Sequence, residues 1–472
     1  MNTHDVQVVR TTSLPDAPHV PVAIVGAGAC GLTAAIGLRE RGIDCVLLER
    51  DAMPHGSTAL SSGFIPAAGT RLQQSLGITD SRETFAQDVQ AKAHGDAAAH
   101  LVEAYTDAVA RAIDALEQRH GIVFEVLDGF LYPGHRARRM HAVPEHTGAA
   151  LMACLERAAT AAGADILTGA LVRVLYVDPD DRVLGVAYTR PDGTLETLAC
   201  DVLLLACNGY GGNAAMVQEL LPEMAEAIFA GHVGNDGSAI HWGRLLGARL
   251  ADLGGYQGHG SWVIPQGALM SWAVMMQGGV QINTEGRRFH DETLGYSEAA
   301  VHVLAQSGGV AFNVFDTPLL ELARTFPDYL GAQKAGALRT ATSLEALAQL
   351  IGCAPAVLRE TLAAVGPQQA DAFGRRFARG LQPPYHLVRV TGALFHTQGG
   401  LDIDASCRVL RDDGAPFANL LAAGGAARGV SGNAVRGYLS GNGLLSAVGG
   451  GWVAAATAAG LIVTARGAAG LQ

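Results

Sequence analysis

The chain has 472 residues and a formal net charge of −11, and only 16% of its residues are charged. That length is enough for two or three domains around a large core. The acidic balance argues against a nucleic-acid partner, which needs basic stripes to meet phosphates. Glycine occurs 60 times without a collagen period and clusters where loops and helices start, a pattern of backbone pressed close to a ligand. The seven cysteines include no C-x-x-C pair, so neither a disulfide framework nor a metal site is indicated, and a reducing cytoplasm is expected.

Residues 1–18 carry charges and lack an apolar stretch, so they read as a loose tail and not as a signal peptide. A βαβ pattern follows in "VPVAIVGAGACGLTAAIGLRERGIDCVLLER". Residues 20–25 read as a buried strand, and a helical pattern runs to Arg41, where Gly42 stops it. Residues 45–48 read as a second strand that ends in Glu49. Gly26, Gly28 and Gly31, with Ala27 inside the loop, make the G-x-G-x-x-G fingerprint of dinucleotide binding. Such glycines allow a tight turn and bring a pyrophosphate to the helix N-terminus, whose free N–H groups and dipole favour anions. Glu49 suits ribose hydroxyls and would repel a 2′-phosphate, which disfavours NADP. FAD and NAD both remain open at this point, and no second fingerprint for NAD(P)H is found.

Further on, the sequence alternates in strand fashion, with turns at 178–181 and 192–193. It reaches a buried strand at 202–206 and a glycine turn at 208–213. From about 240 to 375 the texture changes to aromatic residues and short helical patterns such as "TPLLELARTF" and "SLEALAQLIG". An inserted domain is expected there, dividing the chain into a tail (1–18), a nucleotide domain in two parts (19–239 and 376–472) and the insert (240–375). Residues 437–465 contain no Asp, Glu, Lys or Arg. That length meets the crude criterion for a membrane span. Seven glycines with Ser440, Asn442 and Ser446 instead suggest a glycine loop and then a buried helix over 444–463, so no span is expected.

The blocks "GAGACG", "HGSTALSSGFIPAAGT", "GYGGN", "GNDGSAIHWGRLLGA", "GGVQINTEGRRFHDE", "HTQGGLDID", "NLLAAGGAARG" and "GYLSGNGLLSA" occur in this order. Together, from residue 20 to about 465, they resemble the flavoprotein family of fumarate reductase and the 3-ketosteroid dehydrogenases. The resemblance implies an α/β fold, in which a discontinuous Rossmann-like FAD-binding domain carries an inserted α+β capping domain. It implies hydride transfer between flavin and a carbon next to an activating group. Beyond the fingerprint it places the cofactor against Arg50, Ser57, Thr58, Ser62, Gly63, Val172, Asn208, Gly209, Asp236, Gly400, Gly424, Gly425, Asn442 and Leu444.

Three departures from the family pattern carry information. Ser57 stands where some relatives have the histidine that attaches FAD covalently, which implies non-covalent FAD. Gly425 stands where relatives usually have glutamate. The dicarboxylate reductases of the family place a proton-donating arginine and a carboxylate-clamping arginine where this chain has Tyr296 and Tyr438. The steroid-ketone dehydrogenases are similar to this chain at both places, with a tyrosine in the first and, in the subgroup that desaturates 5α-reduced rings, Tyr-x-Ser, here Tyr438 and Ser440, in the second. The His-Thr pair of the carboxylate enzymes is kept at His396 and Thr397.

Desaturation next to a ketone needs a donor for the enolate oxygen, a base for the α-proton and an acceptor for the β-hydride. Tyr296 and Tyr438 are the catalytic candidates. Tyrosine has a reference pKa of about 10, so a base role needs a lowered pKa or a relay, for which Ser440 is placed. His396, Thr397, Gly441 and Arg436 are substrate-binding candidates, with an exposed-loop or a satisfied core histidine as the competing readings of His396 and a solvated cap as that of Arg436. Glu292 and Arg288 are expected to hold the insert together, and Tyr132, His141 and His146 are weaker pocket candidates. The expected activity is FAD-dependent α,β-desaturation of a cyclic ketone, such as an oxocyclohexanecarboxylate. Electrons would pass to a quinone, a dye or O2. A 3-ketosteroid substrate, an enoate reductase running the other way, and a flavin redox carrier without turnover are the alternatives.

Overall fold

A computed structural model describes residues 6–367 and 370–469. The chain forms two compact units. The first comprises residues up to Met216, Gly231–Tyr256 and the chain from His396 onward; the second comprises Val217–Ala230 and Gln257–Phe395. These bounds differ from the expected insert at 240–375. The helix Ser238–Leu246 stays with the first unit, where its buried Trp242 joins the main core and Gly243 lies against Leu401. The long strand Tyr385–Thr397 pairs along most of its length with Val310–Asp316, which draws residues up to Phe395 into the second unit.

The first unit is built on a mixed sheet in the order Gln7–Arg10, Leu171–Val177, Val183–Thr189, Leu195–Leu205, His19–Val25, Cys45–Leu48 and Asp165–Leu167. The expected loose tail is corrected here. Residues 1–5 lie outside the described residues, but Gln7–Arg10 pairs in parallel with Leu171–Val177. Val6 and Val8 pack against the core, and the strand covers a sheet edge whose N–H and C=O groups would otherwise be open. Leu195–Leu205 serves two geometries: its first half runs antiparallel to Val183–Thr189. Its last residues lie parallel to His19–Val25 on one side and to Pro416–Ala422 on the other.

The uncharged run forms the short helix Asn442–Leu444, a π-helical turn Leu445–Gly449 and the helix Gly450–Ala469. Its small residues explain how it packs. A Cβ on Gly451 would come within 2.5 Å of the Cys30 carbonyl, and one on Gly37 within 2.9 Å of the Ala455 Cβ. The helix Ala29–Arg39 can therefore lie almost backbone to backbone on it. Asn442–Arg466 is long and apolar enough to cross a membrane, yet 56% of its most apolar window is buried within the protein.

In the second unit a sheet runs in the order Ala268–Leu269, Tyr256–Val263, Tyr385–Thr397, Val310–Asp316 and Val280–Ile282. Beside it lies a buried ion cluster. Glu292 accepts from Arg288 at 2.6 and 3.0 Å, from Arg375 at 2.5 Å and from the Gln281 backbone N–H at 2.9 Å. Arg288 also meets Asp371, and Arg375 donates to the carbonyls of Gly279 and Met275. Burial alone would raise the Glu292 carboxyl; the hydrogen bonds and charge of Arg288, with Arg375, hold it below its ordinary value. This is the structural role expected for Glu292 and Arg288. Glu292→Gln leaves two buried guanidiniums short of countercharge and should cost about 3–5 kcal/mol. A urea unfolding curve with an unchanged midpoint would contradict this.

Candidate active site

The phosphate end of the site follows from how the strand His19–Val25 meets the helix Ala29–Arg39. Gly26 turns with φ +103°, and a Cβ there would come within 2.6 Å of the Ala206 carbonyl. Gly31 seats the helix on that turn, since its Cβ would lie 2.0 Å from the Gly26 carbonyl. Gly28 is different: nothing lies within 4 Å of where its Cβ would be, so open space adjoins the helix start. That opening fits a pyrophosphate. The buried Glu49 carboxylate accepts from the backbone N–H of Ala27 at 2.9 Å and of Asp51 at 3.0 Å. Two backbone donors fix its orientation and leave lone pairs for ribose hydroxyls.

The remaining cofactor candidates of this unit are held by one another. Ser57 Oγ accepts from His232 N at 3.2 Å and Asn235 Nδ2 at 2.8 Å. Arg50 donates to the Gly234 carbonyl at 2.8 Å and lies 3.3 Å from Asp236, which itself accepts from the Ser238 N–H at 3.1 Å. Thr58 Oγ1 stands 3.5 Å from Ala29 N at the helix start. Ser62 is half-buried, and Gly63 lies against Thr147–Gly148. Val172 is a buried strand residue. Gly400 packs on Ala426, Gly424 on Cys30, and half-buried Leu444 closes the short helix. Asn208 adopts φ +65° and accepts from Gly209 N at 2.9 Å. Its Oδ1 would lie only 2.1 Å from a Cβ on Gly425. A side chain at 425 would therefore require the Asn208 amide to turn away.

At the other end His396 and Tyr438 come together. Their rings meet edge to face, centroids 5.5 Å apart at 72°. His396 stands near the end of the strand Tyr385–Thr397, and burial pushes its imidazole down to about 4, so it is neutral at pH 7. Its Nδ1 lies 3.1 Å from Gln398 Nε2 and 3.3 Å from the Thr397 carbonyl, and its Nε2 faces Gly443. Gln398 Oε1 accepts from Ser431 Oγ at 2.8 Å, which accepts from Asn442 Nδ2 at 2.9 Å. Asn442 Oδ1 and Ser446 Oγ are buried without a protein partner. Buried polar atoms demand partners, and the polar edge of a flavin ring offers both donors and acceptors. Sequence reading missed Gln398 and Ser431, because only their spatial meeting with His396 gives them meaning.

Tyr438 and Ser440 are each 6% exposed, and the Ser440 carbonyl accepts from His135 Nε2 at 2.9 Å. Gly441, with φ +90°, makes the turn into the helix Asn442–Leu444. Thr397 Oγ1 accepts from the N–H of Tyr210 at 3.3 Å, so its visible contact is with the backbone after Asn208. Arg436 pairs with Asp96 at 3.1 Å, both side chains 56% exposed. Of its two readings, this is the solvated cap.

Tyr296 belongs to the second unit, where it opens the helix Tyr296–Leu304. Its ring stacks on His259, centroids 4.8 Å apart at 17°, and His259 also meets Trp272 and Phe395. Burial pushes His259 down to about 3, and its Nδ1 accepts from Ser261 N at 3.1 Å. No motif marked His259 in the sequence. Of the weaker candidates, His141 is bound to Thr70 and the Arg139 carbonyl, His146 pairs with Glu125, and Tyr132 packs on Phe64 and Phe130.

Residues 21–444 match the family described as FAD binding domain, and the chain belongs to that family. FAD is its cofactor, and the residues just described fit it. The chain is 28% identical over 425 residues to an NADH:fumarate oxidoreductase of Klebsiella pneumoniae, covering 87% of this chain but 45% of that protein. It therefore spans less than half the length of that relative. It is 26% identical over 435 residues to a fumarate reductase (cytochrome) of Shewanella frigidimarina, covering 90% of this chain and 75% of the other. It is 23% identical over 537 residues to the 4-oxocyclohex-2-ene-1-carboxylate 5-dehydrogenase of Sinomonas cyclohexanicum, covering 88% and 90%. Its fold superposes on the open conformation of a flavocytochrome c3 fumarate reductase with a TM-score of 0.80, at 26% identity and with 94% and 79% of the chains covered. A 3-ketosteroid-delta4-(5alpha)-dehydrogenase from Rhodococcus jostii superposes with a TM-score of 0.76, at 22% identity and with 96% and 100% covered.

Two outcomes are expected. With Ser57 and not histidine at the attachment position, purified protein should be yellow and should release its flavin on acid precipitation; flavin retained in the pellet would contradict this. His135, His141, His259, His290 and His396 are all pushed down by burial, to between about 3 and about 4. Below the ordinary value of about 6.5 the unfolded chain therefore binds more protons, and stability falls as pH is lowered through that window. The melting temperature should drop already between about pH 6.5 and 5, above the ordinary carboxylate range. A flat profile there would show these imidazoles are not held neutral.

Proposed function

We propose that the protein desaturates a cyclic ketone between the carbons α and β to its carbonyl. One observation carries this reading: Tyr438 turns inward onto the neutral His396, while Arg436, two residues earlier, turns outward to Asp96. A dicarboxylate calls for fixed guanidinium charge, whereas a ketone calls for neutral donors aimed at the oxygen that becomes an enolate. When bound, FAD supplies the acceptor for a hydride and its two electrons. Tyr438 holds the ketone oxygen or takes the α-proton, with Ser440 as the relay by which a phenol can pass that proton on. The α C–H bond gives up a proton, the β C–H bond gives up a hydride, and a C=C bond forms between them. His396 presents a neutral imidazole, which suits a substrate bearing one carboxylate beside its ketone, and the Sinomonas relative that acts on a 4-oxocyclohexenecarboxylate supports that substrate class. The electron acceptor would be a quinone or a similar oxidant.

Enoate reduction is the second reading, favoured by the fumarate-reducing relatives. Anaerobic mixing separates the two. Saturated cyclic ketones and oxocyclohexanecarboxylates should bleach the flavin absorbance, and added quinone or dye should restore it. Rapid fumarate reduction without any bleaching by ketones would overturn the proposal. Tyr438→Phe removes one hydroxyl and should lower turnover by about 10²–10³ if that group supports the enolate oxygen, with FAD content unchanged. Turnover near that of the wild type would make the phenol a packing residue.

A further inference from the structure

We propose that Gln398 is a positioning residue that locks His396 in the tautomer carrying its proton on Nε2, so that the ring offers a donor, and not a base, on the side of Gly443. The catalytic meaning of that donor rests on the proposed function; the tautomer itself does not.

The direction of the chain of hydrogen bonds decides the tautomer. Asn442 Nδ2 can only donate, and Ser431 Oγ accepts from it at 2.9 Å. The single hydroxyl proton of Ser431 then goes to Gln398 Oε1 at 2.8 Å. This turns Gln398 Nε2, again a pure donor, toward His396 Nδ1 at 3.1 Å, which must be bare to accept. The Thr397 carbonyl, 3.3 Å from the same nitrogen, favours the opposite tautomer. A proton on Nδ1 would, however, set donor against donor at the shorter contact. Turning over the Gln398 amide alone would direct two donors, from Gln398 and Asn442, at Ser431 Oγ; the chain reverses only if the Asn442 amide turns over with it and its Oδ1 takes the serine proton, and the His396 nitrogen signals separate the two directions. Gln398, Ser431 and Asn442 are all buried, so water cannot repair such a mismatch. The Gln398 backbone is itself tied at both ends, N–H to Gly255 at 2.7 Å and carbonyl to the Gly429 N–H at 2.8 Å. On the far side of the ring, a Cβ on Gly443 would come within 2.7 Å of Nε2; glycine there leaves the donor uncovered. Burial keeps the imidazole neutral, so the choice between its two nitrogens persists at pH 7.

The chemical consequence is selectivity for a reactant that presents an acceptor, a carbonyl or carboxylate oxygen, to His396. Proton abstraction is left to another group.

The test reads the nitrogen atoms directly. In FAD-loaded enzyme labelled with 15N-histidine and free of ketone, the His396 signals are assigned by their loss in His396→Asn. The expected result is a bare Nδ1 and a protonated Nε2. In Gln398→Glu the carboxylate can only accept, so Nδ1 should become protonated. In Gln398→Leu the Thr397 carbonyl is left as the partner, and a proton on Nδ1 should appear there too. Unchanged FAD content and melting temperature show that each variant is folded, and the leucine variant serves if the glutamate variant is not. Wild-type enzyme with its proton on Nδ1, or folded variants that keep the wild-type pattern, would overturn the proposal. Because no ketone is present, these spectra stand whether or not ketones turn out to be substrates. If ketones are oxidised, Gln398→Leu should also raise KM by roughly 2–10-fold, the span of one neutral hydrogen bond.

Discussion

The first unit depends on the parallel pairing of Leu205 and its neighbours with two strands far away in sequence. Leu203, Leu204 and Leu205 lie between Ala23–Val25 and Leu420–Ala422. This pairing puts the carboxyl ends of three strands into register. At that end the Gly26 turn comes up against Ala206, and the Ala423 N–H reaches the Leu205 carbonyl at 3.1 Å. Gly424 and Gly425 then fall beside Cys30 and Asn208. A slip of one residue would turn every side chain to the other face and separate the phosphate turn from the glycines that adjoin it. The cofactor site is thus a product of register as much as of any single motif.

The part of the candidate site around His396 and Tyr438 follows a second constraint, the exclusion of fixed charge. Its visible members are neutral or made so by burial: Tyr438, Ser440, Gln398, Ser431, Asn442 and the depressed His396. Charge is placed elsewhere: in Glu49 and the Arg50–Asp236 pair at the phosphate end, in the exposed Arg436–Asp96 pair, and in the Glu292 cluster of the second unit. Between buried, uncharged partners each hydrogen bond counts for more, because the low local dielectric strengthens it.

Much of this was legible in the sequence. The βαβ unit declared itself through a strand, three glycines and an acid at fixed spacing, all local signals. The helix in the uncharged run was legible from its small residues, though the π-helical turn Leu445–Gly449 within it was not. The pairing of Gln7–Arg10 escaped notice because a short edge strand depends on a partner more than 160 residues away. The bounds of the second unit escaped for the same reason, since they follow from which strand Tyr385–Thr397 joins. At the site, Tyr438 and His396 stood out by resemblance. Gln398, Ser431 and His259 carried no signal of their own, for a hydrogen-bond chain between residues 396, 398, 431 and 442 exists only in three dimensions.

The contact between Gly425 and Asn208 joins two turns distant in sequence. An amide oxygen that would lie 2.1 Å from a Cβ makes the two positions one steric unit. A side chain at 425 cannot be accommodated while Asn208 keeps its present rotamer, and a shorter residue at 208 would open a void that a longer one at 425 fills. A larger residue at 425 would require the Asn208 amide to turn away, giving up its hold on the Gly209 N–H. The conformation of the turn at 208–209 is thereby tied to the absence of a side chain more than 200 residues away in sequence.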